Sequence, residues 1–140
     1  MHAGVANLID GYPTAARQRF LQLREMLHQT ACDITEIQES LKWGEPSYQS
    51  PKGSPIRFAW KAANPDELGV YFNCNTRLVS TFRELLPELS YHGNRAIKLS
   101  LTGALPVADL RLCFDLALLY HQLKHLPLLG VNFSETQRVN

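Results

Sequence analysis

The chain has 140 residues, 45% of them hydrophobic and 19% charged, which is the size and composition of one globular domain with a single core. Fourteen basic against thirteen acidic residues leave a formal charge of +1, too even a balance for a phosphate-tracking nucleic-acid binder or a polybasic membrane anchor. Cys32, Cys74 and Cys113 are odd in number and widely spaced without a Cys-x-x-Cys, which argues against a disulfide framework or a zinc knuckle and suits reduced thiols. Residues 1–10 lack a basic leader followed by an apolar run, and no apolar stretch reaches the ~18–20 residues of a membrane span. A soluble cytoplasmic protein with neither nucleic-acid nor membrane partners is expected.

After Pro13, Ala16, Phe20, Leu23 and Leu27 recur at three- and four-residue steps, predicting an amphipathic helix to about His28 with Arg17, Arg19, Arg24 and Glu25 on its outer face. Ile34, Ile37 and Leu41 follow Asp33 at helical spacing and predict a short second helix, with Glu36 and Glu39 near one another on its exposed side. Gly44 and Pro46 then bend the chain, so residues 42–48 read as a loop. Beyond the turn at residues 50–55, Ile56-Arg-Phe-Ala-Trp-Lys61 and Leu68-Gly-Val-Tyr-Phe-Asn-Cys74 alternate as two strands of a hairpin. Ile56, Phe58, Trp60, Leu68, Val70, Phe72 and Cys74 share the apolar side, and Arg57, Lys61, Tyr71 and Asn73 the other.

Asn75 or Thr76 is placed to cap a helix whose buried stripe is Leu78, Val79, Phe82, Leu85 and Leu86. Arg95-Ala-Ile-Lys-Leu-Ser-Leu101 alternates again, with Lys98 outward, and residues 107–124 form a nearly all-apolar helix expected to be the spine of the core. Residues 127–140 have no periodicity and read as a tail, leaving 1–126 as one domain. The order of elements predicts an α+β fold, a small antiparallel or mixed sheet of about four strands covered by helices.

Lys42-Trp-Gly-Glu-Pro-Ser-Tyr48, preceded by Glu39 and followed by Gly69-Val-Tyr-Phe72, Arg95-Ala-Ile-Lys-Leu99 and Leu105-Pro106, resembles the YdhG-like domain, a small bacterial domain of unknown function. The resemblance runs from about residue 19 to residue 126. It implies an α+β sheet packed against helices and no single established reaction. Some members are described as frataxin-like iron chaperones that rely on clustered carboxylates, whereas the first helix here is basic on its outer face.

The candidate site is Lys42, Trp43, Tyr48, Arg57, Tyr71, Arg95 and Lys98, cations beside aromatic rings on a loop and on outward strand positions. Such a set can hold a carboxylate or phosphate by charge-assisted hydrogen bonds while an apolar part of the ligand stacks on a ring. His121 and His125, four apart, are two metal ligands without a third, and no Gly-x-Ser-x-Gly elbow or glycine-rich phosphate loop is present. Cys74 and Cys113 read as small buried hydrophobes. The expected function is binding of a small anionic molecule in a cleft between the 42–48 loop and the sheet, by a binding module rather than an enzyme and without cofactor or metal. The alternatives are a frataxin-like iron-binding protein using Glu36, Glu39 or Glu45, and a homodimeric interaction module with exposed aromatics and the last helix as its seam.

Overall fold

The structure, a computed structural model, describes residues 1–132. Helices α1 (Ala3–Asp10) and α2 (Thr14–Ala31) lead into a meander of β1 (Gln38–Lys42), β2 (Glu45–Gln49), β3 (Ile56–Ala59) and β4 (Glu67–Tyr71). Helix α3 (Leu78–Leu85) connects to the hairpin of β5 (Ser90–His92) and β6 (Ala96–Ser100). Helices α4 (Val107–Leu118) and α5 (Tyr120–Leu123) and a 3₁₀ turn (Pro127–Gly130) follow. The six strands form one antiparallel sheet in the order β1-β2-β3-β4-β6-β5.

The class is α+β, as expected, and the sheet has six strands where about four were expected. One face of it is covered by helices. Phe58 on β3 lies at the centre of that side, with ring centroids 5.8 Å from Phe20 of α2, 5.2 Å from Tyr48 of β2 and 6.1 Å from Phe114 of α4. Ile56, Leu68, Val70, Ile97 and Leu99 from the strands and Leu23, Leu27 and Leu110 from the helices fill in around it. Each such side chain, fully removed from water, contributes ~1.5–3 kcal/mol, so the period-two pattern of the strands and the three-four pattern of α2 point to the same interior.

Three readings of the elements are corrected, and two further elements were not foreseen. Residues 34–41 do not form a helix: the segment turns back on Ala31, whose carbonyl accepts from the N–H groups of Ile34 and Thr35, and then enters β1. Ile37, Glu39 and Leu41 are alternate residues there, and a carboxylate between two apolar residues concealed the period of two. The 42–48 segment is a β-hairpin rather than a loop, with Lys42 opposite Glu45 and a two-residue turn of Trp43 and Gly44. The apolar run from residue 107 is broken at Leu119 into α4 and α5, so His121 and His125 are not on one helix, since α5 ends at Leu123. Short β5 escaped notice because three residues carry no readable alternation, and α1 because eight residues precede any cap signal.

Arg19, placed on the outer face of α2 by its spacing, is only 5% exposed. Its guanidinium donates to the carbonyls of Ser100 at 3.1 Å and Gly103 at 2.7 Å, tying α2 to the end of β6. The turn Pro127–Gly130 buries Leu129, and the rest of the expected tail, residues 133–140, lies outside the described residues.

Candidate functional site

The sheet face away from the helices carries the candidate residues. A cross-strand row runs from Ser47 on β2 through Arg57 on β3 and Tyr71 on β4 to Ala96 on β6 and His92 on β5. Lys98 stands one row further along β6, opposite Gly69 and Ser90. Small residues keep this face low: Ala59, Gly69 and Ala96 have almost no side chain, and the Tyr71 ring folds down over Gly69 so closely that a Cβ there would stand 2.5 Å from it. Gly69→Ala is therefore expected to lift that ring and to cost about 1–2 kcal/mol in urea denaturation, as overpacking does.

Cations surround the ring. Arg57, Lys61 and Lys98 lie 5.7, 5.0 and 5.1 Å from the Tyr71 centroid, and the Lys98 Nζ donates to the Tyr71 hydroxyl at 3.1 Å. On its other side the Arg57 guanidinium lies 5.4 Å from the Trp43 ring centroid, so it sits between the two aromatics. Two carboxylates answer these charges. Glu45 accepts from the Arg57 Nη1 at 2.9 Å and faces the Lys61 Nζ at 3.8 Å, and Glu67 lies 3.8 Å from Lys98. Lys42 and Arg95 have no carboxylate partner among the described residues.

Two hollows open on this face. One, about 470 Å³ with mainly apolar walls, lies beside Trp43, Lys42, Pro55, Phe72 and Cys74. The other, about 510 Å³ with mainly polar walls, lies over Tyr71 and Lys98 beside Ser90 and His92. Arg57 and Arg95 line both. Six of the seven predicted site residues thus gather on one surface.

Tyr48 does not. It points into the core on the opposite side of β2 and is fully buried, because Pro46 and Tyr48 alternate with the outward Ser47 once the segment is a strand. Its hydroxyl donates to Glu39 at 2.7 Å, and burial followed by the neighbouring carboxylate raises its pKa. Glu39 is a structural centre: it accepts from the Arg24 Nε at 2.6 Å, the His2 backbone N–H at 2.7 Å and Tyr48, which joins α1, α2, β1 and β2. Burial works against its charge, but these donors outweigh it and hold its carboxyl at about 2.

Cys74, expected to be buried, is exposed at the mouth of the apolar hollow, because β4 ends at Tyr71 and the alternation stops there; Cys113 is buried as expected. Spacing also missed Ser47, Ser90 and His92, and it offered Glu45 only as an iron ligand beside Glu36 and Glu39. The available signal was a Gly two residues after Lys42 and just before Glu45, the mark of a two-residue hairpin. Glu36, Glu39 and Glu45 do not converge: Glu36 is exposed ahead of β1, Glu39 faces the helices and Glu45 the open side. Among the described residues no group of three or more His, Cys, Asp or Glu side chains is placed to hold a metal ion.

No family model matches the chain, and no curated protein matches it. In structure it is similar to the crystal structure of a DUF1801-family protein, YdhG, from Bacillus subtilis, with a TM-score of 0.65 and 14% sequence identity over 84% of this chain and 90% of that one. Identity that low speaks to the backbone arrangement alone. The chain therefore has the fold of a YdhG-like domain, the one its Lys42–Tyr48 motif resembles.

Proposed function

We propose that this domain binds a small anionic ligand with a planar part on the open face of the sheet, the anion held by Arg57 and Arg95 and the plane against Trp43. The observation that carries the proposal is the state of Trp43. It occupies the first turn position of the hairpin with a φ of 51°, followed by Gly44 at 76°, where Asn, Asp or Gly is the favoured residue and a bulky side chain is disfavoured. It is also 90% exposed. Neither backbone preference nor burial accounts for an indole there, and an unfavourable residue at a surface turn, beside the Arg57 guanidinium, supports a binding role. Arginine suits the anion, since its planar fork matches carboxylate and phosphate oxygens.

Isothermal titration with phenyl phosphate tests this. Saturable heat below about 1 mM is expected. Trp43→Asn is expected to weaken binding about fivefold, the smaller end of what a base or ring loses without its stacking partner. The same variant is expected to raise the stability of the domain by about 0.5–1 kcal/mol, because Asn accepts the positive φ. Absence of heat, or Trp43→Asn binding as tightly as the native chain, overturns the reading.

A further inference from the structure

Resting on that reading of the site, we infer that the ligand spans both hollows and carries its charge at its centre, between a planar group and a neutral hydroxyl-bearing group. The two hollows share Arg57 and Arg95, so those arginines stand at the junction rather than at an end. Both lysines beyond the junction already face a carboxylate, Lys98 that of Glu67 and Lys61 that of Glu45, which it shares with Arg57. That hollow therefore asks for no further charge, and Ser90, His92 and Asn64 offer it hydrogen-bonding groups suited to hydroxyls. The hollow beside Trp43 is walled mainly by apolar surface and suits a ring. Lys42 and Arg95 are both without a carboxylate partner among the described residues, but of the two only Arg95 lines both hollows, and its position puts the anion in the middle. A planar ring, a central pyrophosphate and a hydroxyl-rich end are the chemistry of a nucleoside diphosphate sugar.

The test joins two fragments. Uridine monophosphate supplies ring and anion, glucose 1-phosphate supplies anion and hydroxyls, and uridine diphosphate glucose is the two combined. Titrated into the full chain, the joined molecule is expected to bind at least about tenfold tighter than either fragment, since the second half then binds at high effective concentration. His92→Ala, at an exposed edge position, is expected to weaken uridine diphosphate glucose and glucose 1-phosphate about threefold and to leave uridine monophosphate unchanged. Trp43→Asn is expected to do the reverse, weakening uridine monophosphate and sparing glucose 1-phosphate. A joined molecule no tighter than uridine monophosphate, or one indifferent to His92→Ala, overturns the two-hollow ligand while leaving the single-anion site standing. Failure of all three molecules together with phenyl phosphate removes the site itself, and this inference with it.

Discussion

Arg57→Ala is expected to lower the affinity for phenyl phosphate by about 100-fold, because a hydrogen bond to a charged group contributes about 1.5–3 kcal/mol and its loss here has a second consequence. Arg57 is the partner of Glu45 at 2.9 Å, and without it that carboxylate faces the incoming anion. Glu45→Gln alone is expected to strengthen binding about threefold, since one unit charge about 6 Å away through water is worth about 0.7 kcal/mol. The double variant Arg57→Ala, Glu45→Gln is then expected to recover part of the loss. Titration of the four proteins measures the coupling directly. Stability should change by about 1 kcal/mol in each, the upper end for surface ion pairs, because both side chains are partly covered. Arg57→Ala with native affinity would place the anion elsewhere.

Glu39→Gln is expected to destabilise the domain by about 3 kcal/mol at neutral pH. The carboxyl is held at about 2 against an ordinary 4.5, and each pKa unit corresponds to about 1.4 kcal/mol. Its side chain is 8% exposed, so solvent screens little of this, and the Arg24 guanidinium would be left beside a neutral amide. The sign of the pH dependence follows from the depressed value. The unfolded chain takes up the proton first, so the contribution is complete above about 4.5 and is lost as pH falls toward about 2. Thermal unfolding should show the native protein losing stability across that window and Glu39→Gln losing much less. Parallel curves for the two proteins would show that Glu39 does not carry the charge that joins the two helices to β1 and β2.

These two predictions concern opposite sides of the same hairpin, and they differ in how far the sequence revealed them. Arg57, Tyr71 and Lys98 were legible because β3, β4 and β6 alternate cleanly, and alternation alone assigns a residue to the core or the open face. Glu39 was not legible. Its three partners are 37, 15 and 9 residues away, and only the folded chain makes a carboxylate acceptable between Ile37 and Leu41. The same absence of local signal hid the strand character of residues 38–49 and left Tyr48 on the wrong side.

Local spacing determined the α+β class, the helix after Pro13, the apolar stripes of α2 and α3, and the collection of cations on outward strand positions, because burial imposes periods of 3.6 and two that a single segment displays. The tertiary structure alone decided that β1 and β2 extend the sheet, that Glu45 faces both Arg57 and Lys61 and Glu67 faces Lys98 while Arg95 has no carboxylate partner among the described residues, and that two hollows meet at two arginines. Those features depend on register between strands distant in sequence, such as Arg57 opposite Tyr71 and Gly69 opposite Lys98, and register is set by how whole faces pack rather than by any one segment.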